Sequence, residues 1–352
     1  MPPVTPLSRP IGFGIVGLGM IAEFHAQAIA GAAGARLVGA VSRDADKARA
    51  YVQRHGASFA TNRLEELLAR PEVDVVCITT PAGAHLEPAL AAIAAGKHLV
   101  IEKPVEITPE RCDRILEAAD ARGVKVAAIF QARFGEGARN VKAAVDAGRF
   151  GRMVLASAQV KWHRKPEYYS GYRGTLDLDG GGVLLNQAIH AIDLLLWFAG
   201  MPNHVYCRAT RRVHERIAAE DTASATLQFA SGALGSIEAT TAAWPGWQRR
   251  IELCGENGSV SLEDDHVARW DFREAQPGDE AIRSAQDTAK LGSGASAPNA
   301  ISFEGHRRQI EDLVAAIHGN RAVAIDGWEA RRPVAVINAL YASARSGLPV
   351  AL

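Results

Sequence analysis

Two stretches combine residue types that could do chemistry. In Val100-Ile101-Glu102-Lys103-Pro104 an apolar run ends in a carboxylate, an ammonium and a proline. A strand that ends this way presents Lys103 at the carboxyl edge of a sheet, where open α/β folds bind their ligands. The proline fixes its own φ and turns Lys103 away from helix, so the ammonium leaves that edge in a restricted direction. The competing reading is a surface lysine before a loop. The second stretch is the apolar segment from Val183 to Phe198, in which Asn186 and His190 stand four residues apart on one helical face, with Asp193 three further along. Its leucines at 184, 185, 194, 195 and 196 read as core. Two polar side chains in the same run need partners once buried, which suggests a shared ligand; the alternative is a histidine satisfied within the core.

The elements that must position Lys103 follow from the first third of the chain. Ile11 to Val16 is a short apolar strand, followed at once by Gly17-Leu18-Gly19-Met20-Ile21-Ala22 and an alanine-rich helix over Ala22 to Ala33. This is the strand, G-x-G-x-x-A turn and helix of a dinucleotide site, where small residues let the backbone approach a pyrophosphate at a helix N-terminus. A second strand, Arg36 to Val41, ends in Ser42-Arg43 at the position that contacts the adenosine ribose. An acidic residue there would hold a free 2'-hydroxyl, whereas a small polar residue followed by arginine suits a 2'-phosphate, so NADP is favoured over NAD. Asp44 reads as the cap of a helix Ala45 to His55. Val73 to Ile78 is a buried parallel strand, and Thr79-Thr80-Pro81 turns into a helix, Ala82 to Ala95, whose first turn holds His85 beside the cofactor or as a packing or capping residue. Strand His98 to Ile101, helix Pro109 to Arg122 and strand Val124 to Ile129 complete the sheet.

From Val154 the rhythm changes to period two: Val154 to Trp162, Val205 to Arg211, Ala223 to Phe229 and Ala233 to Thr241 predict an open antiparallel sheet. Asp179-Gly180-Gly181-Gly182 makes a close-approach turn before the Val183 helix. Glu274 to Ala300 lacks periodicity and reads as a long loop. Two helices, about Phe303 to His318 and Glu329 to Ser346, are expected to pack back on the first domain. The expected class is α/β: an N-terminal Rossmann domain over 1–133 and a C-terminal α/β domain over 134–352 with a large open, mainly antiparallel sheet.

Composition narrows the partners. The 352 residues suffice for two cores, and equal basic and acidic counts of 39 give no field to draw nucleic acid or an anionic membrane. A small molecule is the default partner. Cys77, Cys112, Cys207 and Cys254 form no C-x-x-C pair, and the histidines form no H-E-x-x-H, so neither a disulfide framework nor a metal is indicated and a reducing cytoplasm fits. Met1 to Pro10 reads as a loose arm and not a signal peptide, and the polar residues inside Val183 to Gly200 exclude a membrane span.

Together Gly17-Leu18-Gly19-Met20-Ile21-Ala22, Thr80-Pro81 with His85, Glu102-Lys103-Pro104, and Asp179-Gly180-Gly181-Gly182 with Asn186 and His190 resemble the glucose-fructose oxidoreductase, inositol dehydrogenase and rhizopine catabolism family (Gfo/Idh/MocA). The resemblance implies NAD(P)-dependent oxidation or reduction of a hydroxyl on a sugar, polyol or derivative. It implies too a homodimer or homotetramer joined through the open sheet. It assigns Lys103 as the catalytic lysine and His190 as the catalytic histidine, with Asn186 where many members carry aspartate. Asparagine can orient a hydroxyl but cannot accept its proton, which loads the acid/base role on His190 and Lys103. By the same resemblance Tyr172-Arg173 and Glu102 touch the cofactor. The stretch from Trp162 through Tyr168-Tyr169 and Tyr172-Arg173-Gly174-Thr175 to Asn186-Gln187 is similar to the branch that oxidises the 3'-hydroxyl of nucleotide-linked amino-sugar uronates. Arg164, Lys165 and Arg173 near the expected mouth read equally as contacts to a substrate carboxylate or phosphate or as solvated cations. The competing functions are a hydrolase or lyase that recycles tightly held NAD, a non-catalytic nucleotide-binding regulator, and a structural partner protein.

Overall fold

Apolar runs without alternation must be covered on both faces, which a parallel sheet between helices achieves. In the computed structural model, which describes residues 9–285 and 302–352, the first part of the chain forms such a sheet. Its strands are β1 (Ile11–Val16), β2 (Ala35–Val41), β3 (Phe59–Thr61), β4 (Val75–Ile78), β5 (His98–Ile101) and β6 (Val126–Ala128), all parallel in the order β3-β2-β1-β4-β5-β6. The helices between them are α1 (Met20–Gly31), α2 (Ala45–Arg54), α3 (Leu64–Leu68), α4 (Leu86–Ala94) and α5 (Pro109–Arg122). Local signals set several of their ends. Asp44 accepts from the Asp46 and Lys47 amides at 3.0 and 3.1 Å and so starts α2, as expected. Thr108 caps α5 ahead of Pro109, and Gly123 closes that helix at φ 70°.

The chain divides into two compact units: the described parts of Met1–Gln131 with Phe303–Arg331, and of Ala132–Ser302 with Arg332–Leu352. Helix α9 (Glu304–His318) therefore belongs to the first unit, where Ile310, Leu313, Val314 and Ile317 join the same core as Ile11, Phe13, Ile15 and Ile29. The last helix, α10 (Gly327–Ser346), departs from the expectation that both C-terminal helices pack back on the first domain. From Arg332 onward it belongs to the second unit.

The second unit is built on eight strands: β7 (Met153–Lys161), β8 (Pro202–Thr210), β9 (Thr222–Phe229), β10 (Leu234–Thr240), β11 (Arg250–Gly255), β12 (Gly258–Glu263), β13 (His266–Phe272) and β14 (Val350–Ala351). Their order is β13-β12-β11-β7-β10-β9-β8-β14, antiparallel throughout except for the parallel pair β7 and β10. Helices α6 (Glu136–Asp146), α7 (Ile189–Ala199) and α8 (Asp279–Ser284) complete the unit. One sheet face is covered, with Ala156, Ala158, Val160, Ile237 and Leu253 buried, while Leu155 and Leu234 on the other face are 52% and 56% exposed.

Several elements differ from the sequence expectation. β3, α3, α6, β11 to β14 and the separation of Ala82–Ala84, a 3₁₀ turn, from α4 were not read from the pattern. The segment read as a loop from Glu274 holds α8, because Asp279 accepts from Arg149 at 2.7 and 2.8 Å and from the Trp270 indole at 2.7 Å. The remainder of that reading, and the arm before Arg9, lie outside the described residues. The helix expected over Val183 to Phe198 begins with a π-helical turn, Leu184–Ala188, before α7. No described helix is long and apolar enough to cross a membrane.

Candidate functional site

In the first unit β1, β4 and β5 are neighbours, so the residues after them line one sheet edge where the strand order reverses. Gly17, after β1, holds φ +93°, and a Cβ there would sit 2.8 Å from the Thr80 amide nitrogen. The turn therefore requires glycine. Gly19, the N-cap of α1, differs: a Cβ would meet no atom within 4 Å, and no side chain caps the helix. An open, uncapped helix N-terminus with its amides exposed fits a pyrophosphate. Met20 is exposed and Ile21 half-buried beside it, whereas Ala22 is fully buried and its carbonyl accepts from the Tyr51 hydroxyl at 2.6 Å. Of the six fingerprint residues, Ala22 thus serves core packing, where it and Tyr51 join the same buried cluster as Ile11, Phe13 and Ile15.

At the end of β2 the Ser42 hydroxyl accepts from the Asp44 amide at 3.2 Å, and Asp44 is committed to capping α2. Arg43 between them is exposed. After β4, Thr80 turns the chain by donating its hydroxyl to the Ala84 carbonyl at 2.9 Å, with Pro81 following, half-buried. His85 is only 1% exposed. Its Nδ1 lies 3.0 and 3.2 Å from the Pro104 and Val105 carbonyls, and its Nε2 lies 2.9 Å from the Thr80 carbonyl. His85 thus straps the loop after β4 to the loop after β5. The Lys103-Pro104 peptide within that second loop is cis, and Lys103 is half-buried.

Glu102, expected to touch the cofactor, turns both carboxylate oxygens into the protein. Oε1 lies 2.9 Å from His25 Nε2 and 3.3 Å from His306 Nε2, and Oε2 accepts from the Lys103 amide at 3.1 Å. All three side chains are buried. Burial alone would raise the Glu102 carboxyl, but the two imidazoles outweigh it and hold it well below the usual carboxylate range. Burial pushes His25 below its ordinary value against the opposing pull of Glu102. A carboxylate oxygen only accepts, so both Nε2 atoms carry the proton, and both Nδ1 atoms are left buried with no partner. Each such orphan costs about 1–3 kcal/mol. Nothing in the sequence singled out His25 or His306, which lie 77 and 204 residues from Glu102.

The second unit holds His190, half-buried in the first turn of α7, and Asn186 in the π turn before it. The Asn186 amide donates to Asp179 Oδ1 at 2.6 Å, and Asp179 Oδ2 accepts from the Gly174 amide at 2.8 Å. A carboxylate thus stands one hydrogen bond from the position where aspartate was missed. The glycine run is required by close approach: a Cβ on Gly181 or Gly182 would fall 2.2 Å from the Tyr341 hydroxyl or 1.7 Å from the Glu220 carbonyl. Asp193, expected on the Asn186 and His190 face, is fully buried instead in a two-pronged pair with Arg133 at 2.8 and 2.6 Å.

Beside this turn an aromatic and cationic cluster forms. Gln187 donates to the Tyr168 hydroxyl at 3.1 Å. Arg164 lies 5.0 Å from the Trp162 ring and 5.3 Å from the Tyr168 ring, while Arg173 lies 4.5 Å from Tyr168 and 5.8 Å from Tyr172. Arg164, which the sequence left as a substrate contact or a solvated cation, is not solvated: it is 4% exposed, and burial pushes its guanidinium down. Trp162 Nε1 and Gln187 Oε1 are buried without a hydrogen-bond partner, and Tyr172 is 38% exposed.

The chain matches two family models, the "Oxidoreductase family, NAD-binding Rossmann fold" of GFO/IDH/MocA over residues 11–130 and the "GFO/IDH/MocA C-terminal domain" over residues 138–261. It is 30% identical over 257 residues to inositol 2-dehydrogenase 3 of Saccharopolyspora erythraea, covering 71% of this chain and 72% of that protein. Among solved structures it is similar to the WlbA dehydrogenase of Bordetella pertussis in complex with NADH and UDP-GlcNAcA, with TM-score 0.88, 32% identity and 99% of each chain covered. The Chromobacterium violaceum WlbA dehydrogenase, in complex with the same two molecules, gives TM-score 0.89 and 30% identity over 100% of this chain and 99% of that one.

Proposed function

The chain belongs to the GFO/IDH/MocA oxidoreductase family, and on that premise we propose that it oxidises a secondary hydroxyl of an anionic, nucleotide-linked sugar acid. The observation that carries this reading is the pair of guanidiniums, Arg164 and Arg173, on the one ring of Tyr168. Like charges so placed oppose each other, and Arg173 contributes to lowering Arg164. A carboxylate or diphosphate beside them removes that repulsion and gains charge-assisted hydrogen bonds. UDP-GlcNAcA, present in both WlbA structures, carries both groups.

Bound nicotinamide would take the hydride from the alcohol carbon. His190 would accept the hydroxyl proton, Lys103 would supply positive charge to the oxygen, and Asn186, its nitrogen held by Asp179, would offer its carbonyl oxygen to a substrate hydroxyl. The Gly17–Gly19 turn and the start of α1 would hold the pyrophosphate. For the dinucleotide we favour NAD(H): both WlbA structures contain NADH, which outweighs the argument for a 2'-phosphate from a single exposed Arg43. The exposed face of the second sheet, with Leu155 and Leu234 outward, is the proposed contact between copies. Light scattering should give a smaller mass for a Leu155→Glu, Leu234→Glu protein, and an unchanged mass would sink that contact.

The deciding experiment incubates the purified chain with UDP-GlcNAcA and either NAD or NADP, following reduced cofactor by its absorbance. Turnover with NAD, little changed in Arg43→Ala, is expected. NADP preference abolished by Arg43→Ala would restore the 2'-phosphate reading. Product without reduced cofactor would mean recycled NAD, and an inert sugar nucleotide alongside an active neutral polyol would reject the anionic substrate.

A further inference from the structure

Two buried histidines with orphaned nitrogens, flanking one carboxylate, need an explanation that core packing does not give. Apolar residues would fill the same volume without burying two unpartnered Nδ1 atoms. We propose that His25 and His306 are positioning residues for Lys103, acting through Glu102. This rests on the reading that Lys103 supplies the cation at the reacting oxygen.

The geometry runs in one direction. His25 reaches Glu102 from α1, the helix whose N-terminus fits the pyrophosphate, and His306 reaches it from the first turn of α9. Both donate to one oxygen, Oε1, which fixes the carboxylate in rotation and keeps it ionised. The other oxygen is then aimed at the Lys103 amide, 3.1 Å away, and so sets the backbone from which the ammonium departs. His85 holds the far side of the same loop through the Pro104 and Val105 carbonyls. The Lys103 turn is clamped from both sides by imidazoles that never reach the reacting atoms. The ligand atoms of His25, Glu102 and His306 also lie within 4.8 Å of one another, a spacing that a metal could use. The 2.9 Å separation of His25 Nε2 from Oε1 is that of an N–H···O hydrogen bond, and protons are the occupants in this proposal.

The test compares His306→Gln and His25→Gln, whose amide nitrogens stand where Nε2 stands, with His306→Leu, His25→Leu and the shorter His306→Asn, all in the full chain. With UDP-GlcNAcA and NAD as probes, the Leu and Asn variants should lose roughly 10–100-fold in kcat, as misplacement of a reacting group by about 1 Å does. KM and NADH affinity should stay unchanged, and the Gln variants should recover. A second readout needs no turnover: the rate at which an acetylating reagent labels Lys103, followed by peptide mass spectrometry. That rate should change in the Leu and Asn variants and return in the Gln variants, with exposed Lys47 unaffected throughout. If the wild type ignores the sugar nucleotide, the functional reading fails and the Lys103 labelling still decides this one. Lower thermal stability with kcat and Lys103 labelling unchanged would reduce both histidines to packing. Stoichiometric zinc in the purified protein would overturn the proposal outright, because the nitrogens would then hold an ion and not protons.

Discussion

Two carboxylates invite comparison, Glu102 in the first unit and Asp179 in the second. Each is 6% exposed, and each holds a neighbour of a candidate reacting group without being one itself. They are stabilised differently. Asp179 accepts from the Gly174 amide and the Asn186 side chain, five and seven residues away along the chain. Glu102 is met by imidazoles from two distant helices. A locally built anchor forms as soon as its loop closes, whereas an anchor assembled from distant segments exists only when the whole unit has folded. The first unit's chemistry is therefore tied to its global stability, and the second unit's anchor much less so.

Four measurements would break or sharpen that contrast, and they are ordered by expected effect. Gly19→Val fills space that holds no protein atom, so dinucleotide affinity should fall by at least ~100-fold, about 2.7 kcal/mol, while the melting temperature without cofactor stays put. A collapsed fold would show that Gly19 is structural. His190→Ala should lower kcat by roughly 10²–10⁴-fold, the range for a positioned acid or base. NADH affinity should be retained, and its equal loss would refute that assignment. Asp179→Ala should release Asn186 and cost about 1–3 kcal/mol of stability for the donors left behind, read by urea melts, with the first unit's NADH affinity intact. A loss of NADH binding would contradict the independence of the two anchors.

The smallest effect concerns pH. His25 is held below its ordinary value of 6.5, so between its folded and unfolded values the unfolded chain binds the extra proton. Stability then rises with pH through that window and is lost as pH falls below about 6.5, with a slope of at most ~1.4 kcal/mol per unit. The depressed Glu102 carboxyl acts with the same sign at lower pH. His25→Gln keeps the donated hydrogen bond and removes the titrating ring, so denaturation midpoints at pH 5 and 7 should draw together in that variant. An unchanged slope would place the proton elsewhere.

Legibility in the sequence followed the range of the interactions. Strand His98–Ile101 and helix Pro109–Arg122 match their expected bounds, because a buried apolar run, a capping threonine and a closing glycine are local signals. The glycine turn, the Asp44 cap and the Asn186, His190 and Lys103 candidates were visible for the same reason. The π turn was not, since spacing alone cannot tell winding by four residues from winding by five. Arg133 and Asp193, 60 residues apart, and the two histidines on Glu102 were invisible because only folding makes them neighbours. β11 to β13 were passed over although Arg250 to Cys254 alternates in burial, the apolar members being too few per strand to stand out.

The return of residues 303–331 to the first unit carries a consequence for how the protein is made. Ile310, Leu313, Val314 and Ile317 belong to the same core as β1, yet they leave the ribosome long after it. At about 5–20 residues per second the roughly 170 residues from Gln131 to Phe303 take on the order of ten to thirty seconds to emerge. During that interval the nascent sheet has one flank of α1 uncovered and His306 is missing from beside Glu102. The dinucleotide unit is completed only after residues 132–302 of the second unit have emerged, so a nascent chain cut off before α9 would expose that apolar flank to whatever chaperones or proteases stand nearby.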